Sequence, residues 1–253
     1  MKEIDFTGQT AVVTGAASGM GLCASRELVR LGATVVLCDV DAASLGAAAA
    51  SLDAGGFAGR ACPCPCDVRR FADAERAAAL ALERTGRIDL LAAFAGGYEP
   101  RVCGTCGTPF HEQPIEVIDW GLDVNLRGPV YFARACMPAM VRAKRGVICC
   151  IGSVTGFEGD GYGAMYGTAK SGLFNFVKGL AQAGAPHGVR AFCVTPGPVM
   201  TRPGMANMKT LQGRASEPSE LVDLMLYLVS ENGASVTGSN HVMDCGRLAM
   251  QPQ

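Results

Sequence analysis

Seven short apolar runs alternate with longer stretches along this chain, and that alternation restricts its fold more than any other feature. The runs are TAVVT, TVVLCD, ACPCPCDV, DLLAAFAG, GVICCIG, VRAFCVTP and NHVMD. Between them lie stretches with apolar residues at helical spacing: MGLCASRELVRL, AASLGAAAASL, FADAERAAALALERT, IEVIDWGLDVNLRGPVYFARACMPAMV, YGAMYGTAKSGLFNFVKGLAQ and PSELVDLMLYLVS. A strand that is apolar at consecutive positions is covered on both faces, and strands joined through helices run parallel. The pattern therefore predicts an α/β fold, a doubly wound parallel sheet of about seven strands with helices on both faces. With 253 residues, no internal repeat and no low-complexity linker, residues 1–253 read as a single domain. Such sheets bind ligands beyond the carboxyl ends of their strands, where the strand order reverses. Two connections exceed the usual length in compact domains, 97–114 and 198–216, and the second is expected to cover a substrate.

The first apolar run leads straight into TGAASGMG, with Gly15, Gly19 and Gly21 ahead of a helix. Glycines there permit a tight turn and close backbone approach, so that a pyrophosphate rests on the free N–H groups of the helix N-terminus. Ser18 and Met20 fall inside the same turn and join the glycines as candidate cofactor contacts. With 33 glycines in the chain, chance triplets are common, and the strand before and helix after give this one its weight. The second run ends on Asp39, where a Rossmann-like fold carries the acid that accepts hydrogen bonds from the adenosine ribose hydroxyls. A carboxylate there repels a 2′-phosphate, and neither TGAASGMG nor DVDA contains a Lys or Arg to attract one. The expected cofactor is NAD. The plain alternative for Asp39 is a solvated acid at a strand end.

Composition narrows the partners. Formal net charge is -1 with acids and bases interspersed, so the basic stripe that nucleic acid requires is missing. Nowhere do eighteen apolar residues run together, and MKEIDFTGQT lacks an apolar signal core, so no membrane is expected and the location is expected to be cytoplasmic. Twelve cysteines divide between strands, where they act as small hydrophobes, and loops. Cys103 and Cys106 have redox or metal spacing, and Cys62, Cys64 and Cys66 offer further thiolates. No second CxxC and no histidine pair completes a tetrahedral set, so no metal is expected.

The stretch YGAMYGTAKS, Tyr162 to Ser171, holds two tyrosines four apart and a lysine four beyond the second. On a helix Tyr162 shares a face with Tyr166, and Tyr166 with Lys170, so spacing alone leaves both pairs open. The wider set of motifs separates them. TGAASGMG, CDV with Asp67, AFAGG, VNLRG with Asn125, IGSVTG with Ser153, YGTAK and TPGPVMT occur in that order over essentially the whole chain. That order resembles the short-chain dehydrogenase/reductase family, and TGSNHVMDCG resembles its last strand and turn. The resemblance implies an active serine thirteen residues before the active tyrosine, the separation of Ser153 from Tyr166. Lys170 follows Tyr166 alone, so Tyr162 is expected to line or cover the pocket as an ordinary aromatic.

In such a family hydride passes between a carbinol carbon and the nicotinamide while Tyr166 exchanges the hydroxyl proton. Free tyrosine is mostly protonated near neutral pH, and Lys170 together with the positive oxidised nicotinamide favours the phenolate. Ser153 holds the substrate oxygen by a hydrogen bond. By resemblance, Asn125 steadies a water linking Lys170 to solvent, and Asp67 with Val68 flanks the adenine. Ala95 and Gly96 belong to the cofactor wall, while Pro196, Gly197, Val199 and Thr201 hold the nicotinamide carboxamide. The plain readings are a surface position for Asn125, a cap for Ser153, and a helix N-cap for Asp67. Where the family usually has NNAG this chain has Ala93 and Phe94, and Phe192 replaces a common strand asparagine; these departures read as structural.

Met200, Met205 and Met208 in the 198–216 loop suit an apolar ligand such as a hydroxysteroid, bile acid or other ring alcohol, and equally suit plain packing. Arg101 or Arg202, each in a loop, is a candidate to meet a carboxylate, although exposed arginines usually face water. His111 reads as a loop residue. The leading expectation is an NAD(H)-dependent oxidoreductase on a small-molecule secondary alcohol or its ketone. The alternatives are a carbonyl reductase of a small ketone or 3-oxoacyl substrate, and a non-catalytic dinucleotide-sensing protein. The resemblance also implies a homotetramer or homodimer, which the apolar LFNFVKGL permits.

Overall fold

The computed structural model describes residues 2–250. Seven strands form one wholly parallel sheet in the order β3-β2-β1-β4-β5-β6-β7. They are β1 (Thr10–Thr14), β2 (Thr34–Asp39), β3 (Ala61–Pro65), β4 (Leu90–Ala93), β5 (Gly146–Ile151), β6 (Val189–Pro196) and β7 (Asn240–Met243). The helices are α1 (Gly19–Arg30), α2 (Ala42–Leu52), α3 (Phe71–Thr85), α4 (Glu99–Val102), α5 (Ile115–Leu122), α6 (Gly128–Ala143), α7 (Thr155–Glu158), α8 (Ala164–Gly184) and α9 (Pro218–Val229). The order grows outward in one direction from β1 and in the other from β4. These two strands pair with Val12 opposite Leu91 and mark the switch point, above which a crevice must open.

Alternation along the strands builds two cores. Val13, Val35, Leu37 and Cys149 face α1, α2 and α9, whereas Val12, Val36, Leu91 and Cys150 face α3, α6 and α8. Leu28 of α1, Phe132 of α6 and Leu173 of α8 are fully buried, each contributing about 1.5–3 kcal/mol by leaving water. Consecutive apolar residues in the sequence are thus the signature of a sheet buried twice. No helix among the described residues is long and apolar enough to cross a membrane.

Several boundaries differ from the sequence expectation: β4 stops at Ala93 rather than Gly96, and three others lie near the site. The stretch expected as one helix over 115–141 is interrupted between α5 and α6 by a wide turn over Asp123–Arg127, where the Gly128 amide bonds the Asp123 carbonyl. Pro129 has no amide to offer the Asn125 carbonyl, so a regular helix could not satisfy that group. The third strand stops at Pro65 rather than running on to Val68; the Cys66 amide still reaches the Asp39 carbonyl at 2.7 Å before the chain turns. Helix α8 begins at Ala164, leaving Tyr162 outside it.

The cysteines regroup as well. Cys103 and Cys106 are exposed in the connection after β4. Cys64 and Cys66 turn inward onto Cys38 of β2, the three sulfurs lying within 4.8 Å of one another. Local spacing could not group them, because Cys38 meets Cys64 only through the register of β2 and β3. Hydrogen bonds to its two neighbours, and burial, hold the Cys38 thiol well above the ordinary thiol range.

Candidate active site

A cleft of about 860 Å³ opens above the switch point. Every residue expected from the sequence to bind the cofactor or to carry the proton chemistry lines it, with the exception of Asn125. At one end, Gly15 has φ +67°, and a Cβ there would sit 2.9 Å from the Ala95 nitrogen. A Cβ on Gly21 would collide with the Gly15 carbonyl oxygen. Only bare backbone lets α1 start this close beneath β1 and the chain after β4. Ser18 is the N-cap of α1, and its side chain makes no capping bond, so the first-turn amides of Gly19, Met20 and Gly21 have no side-chain partner. A dinucleotide pyrophosphate fits that requirement. Asp39 stands at the rim, accepting from the Ala17 amide at 3.0 Å and the Asp41 amide at 3.1 Å.

Further along, Asp67 grips Arg69, whose Nε and Nη2 donate to its two oxygens at 2.9 and 2.6 Å. The Arg69 guanidinium, set against partial burial, holds the Asp67 carboxyl below its usual range. The N-cap of α3 is Arg70, so Asp67 does not cap that helix. Phe94 lines the cleft beside Gly21, and Phe192 is wholly buried in the sheet.

At the other end Tyr166 and Lys170 share the inward face of α8. Lys170 is 4% exposed, and its Nζ donates to the Ile151 carbonyl at 2.7 Å while lying 5.6 Å from the Tyr166 ring centre. Ser153, at the end of β5, accepts from the Thr155 amide at 3.2 Å and lines the same cleft. Asn125 is completely buried rather than on the surface. Its Oδ1 accepts from the Gly97 amide, and its Nδ2 donates to the Gly97 and Gly121 carbonyls, all at 2.9 Å. That side chain therefore clamps the turn after β4 and is occupied. The group it has to spare is its carbonyl, left without a helical donor by Pro129.

Several residues depart from the sequence reading or escaped it. Tyr162 is 51% exposed and does not line the cleft. The aromatic beside Tyr166 is Tyr98, edge to face at 6.0 Å, with its hydroxyl on Asp160 at 3.1 Å. Burial, then the nearby Asp160, raises the Tyr98 phenol above the usual range. Glu99 was missed too: its Oε1 accepts from the Met165 and Tyr166 amides at 3.1 and 3.0 Å. The N-cap of α8 is Gly163, which offers no side chain, so Glu99 caps that helix from 66 or more residues away. The signal available in the sequence was a long helix beginning after glycine with no local cap. Met205 and Met208 line the cleft and Met200 does not; His111 is an exposed loop residue. The 198–216 loop is closed at its base by pairing of Val199 with Ser216, the Met200 amide reaching the Ser216 carbonyl at 2.8 Å.

A dinucleotide turn at one end of a crevice and a phenol backed by an ammonium at the other belong to oxidoreductases that act on CH–OH groups. The chain belongs to the short chain dehydrogenase family, whose model matches residues 9–212. It is 31% identical to the oxidoreductase UcpA of Salmonella typhimurium, over 95% of both chains. It is 32% identical to the cis-4-hydroxycyclohexanecarboxylate dehydrogenase of Sinomonas cyclohexanicum, over 97% of this chain and 98% of that one. Among solved structures, a glucose/ribitol-type short-chain dehydrogenase/reductase from Brucella melitensis matches with a TM-score of 0.85 and 29% identity, covering 97% of this chain and 99% of the other. The family uses nicotinamide dinucleotides.

Proposed function

We propose that the protein interconverts a secondary alcohol and its ketone with NAD(H), on an apolar or ring-shaped substrate that the 198–216 loop covers. The observation that carries this is the Tyr166 and Lys170 pair on one face of α8, inside the cleft, with Lys170 anchored on the Ile151 carbonyl. When bound, the nicotinamide supplies the hydride acceptor or donor. Gly15, Ser18, Gly19, Met20 and Gly21 hold the pyrophosphate, Asp39 the adenosine ribose, and Asp67 with Val68 flanks the adenine. Ala95, Gly96, Pro196, Gly197, Val199 and Thr201 wall the nicotinamide end.

In the oxidising direction the Tyr166 phenolate takes the hydroxyl proton as the carbinol carbon loses hydride; reduction reverses both transfers. Lys170 stabilises the phenolate through its positive charge. Ser153 donates to the substrate oxygen and fixes its distance from the phenol. Proton exchange with solvent runs from Lys170 through water held on the Asn125 carbonyl, its side chain being engaged with Gly97 and Gly121. Tyr98, Val102, Trp120, Met205 and Met208 give the substrate end an apolar wall. A panel of hydroxysteroids, cyclic alcohols, polyols and hydroxy acids, followed by NADH absorbance, identifies the substrate. Tyr166→Phe is expected to lower kcat by about 10²–10⁴-fold while NADH still binds; turnover at the wild-type rate would sink the assignment.

A further inference from the structure

Resting on that reading, we infer that the substrate carries an anionic group, a carboxylate on a ring or apolar skeleton, and that Arg101 and Arg202 receive it together. The cleft is lined by four basic side chains, Arg69, Arg101, Lys170 and Arg202. Two are committed: Arg69 is forked on Asp67, and Lys170 donates to the Ile151 carbonyl. Arg101 and Arg202 have no side-chain hydrogen bond or ion pair with any described residue. The acids lining the same cleft are engaged as well. Asp39 takes the Ala17 and Asp41 amides, and Asp67 takes Arg69. Asp160 takes the Tyr162 and Gly163 amides and the Tyr98 hydroxyl.

The two guanidiniums come from separate elements on the substrate side. Arg101 sits on α4, which Glu99 fastens to the start of α8, and a Cβ on Gly97 would lie 3.7 Å from its Nη2. Arg202 sits at the start of the covering loop, two residues before Gly204. Burial, and then the like charge of Arg101, makes Arg202 less basic than usual, with Tyr166 acting in the opposite sense. Two like charges brought to one mouth without a counterion repel each other, and an anion between them relieves the repulsion while gaining charge-assisted hydrogen bonds. Tyr98, Val102, Trp120, Met205 and Met208 surround them with apolar surface, so the ligand they suit has an apolar body and one negative end. A neutral ring alcohol leaves both guanidiniums unused.

The test measures binding without turnover. Cyclohexanecarboxylate and cyclohexanecarboxamide, matched in size and differing in charge, are titrated into the full-length protein saturated with NADH and followed by calorimetry. The acid is expected to bind about tenfold or more tighter than the amide, as hydrogen bonds to charged groups warrant. That ratio is expected to fall toward one in Arg101→Gln and in Arg202→Gln, and to recover in part with Lys at either position. Equal binding of acid and amide, or binding of neither, overturns the inference even if neutral alcohols are oxidised. So does a loss of NADH affinity in the Gln variants as large as the loss of acid, because the guanidiniums would then serve the dinucleotide. Preferential acid binding with no alcohol oxidised by the wild type keeps the arginine pair and removes the oxidoreductase reading instead.

Discussion

The proposed choice of dinucleotide rests on a single carboxylate, Asp39. Both its oxygens accept from backbone amides, which fixes them at the rim. Arg69, a cation lining the same cleft, is unavailable to a 2′-phosphate while Asp67 holds it in a fork. NADH is therefore expected to bind at least about tenfold tighter than NADPH, and Asp39→Ala to erase most of that preference. Fluorescence titration with both cofactors checks it; tighter NADPH binding by the wild type would reverse the reading. The place of Asp39 at the end of β2, in the lining of the cleft, was readable from sequence because a local rule sets it, the end of the strand after the glycine turn. The exclusion of Arg69 was not, since its partner is fixed by the turn beyond β3.

At the scale of elements, α8 carries the phenol proposed to react, and its first turn is held from outside. Gly163 must stay bare because the Tyr98 ring lies against it, so the cap has to come from another element, and Glu99 provides it. Burial raises the Glu99 carboxyl above the usual range, and Gln keeps a side-chain oxygen able to accept from the same two amides. Glu99→Ala leaves two amides uncapped and is expected to cost about 2 kcal/mol of stability. It is also expected to lower kcat several-fold, with NADH affinity retained and Glu99→Gln restoring most of the rate. Equal kcat in Ala and wild type would limit Glu99 to a stability role. The pairing of Tyr166 with Lys170 was legible because helical spacing and motif order are both local. The contacts of Tyr98 and Glu99 with α8 span more than sixty residues, and no periodicity encodes them. For the same reason the wide turn before α6 escaped a reading that followed apolar spacing alone, although Pro129 marked the place.

For the molecule as a whole, the two-sided core explains the cysteine-rich composition. Nine of the twelve cysteines are buried, Cys23 is half-buried, and only Cys103 and Cys106 are exposed. A thiol reagent is accordingly expected to label these two quickly in the native protein and all twelve after unfolding; fast labelling of Cys149 or Cys150 would contradict the burial of β5. The sheet and its switch point were legible from the succession of apolar runs, since burial on both faces leaves no polar alternation to obscure them. What surrounds the substrate was less so, because long loops take their shape from distant partners. The pairing of Val199 with Ser216 turns one of those loops into a cassette. If the loop covers the substrate as proposed, its contents beyond Thr201 can be rewritten or lengthened to admit a different alcohol, with the proposed proton and hydride chemistry left in place.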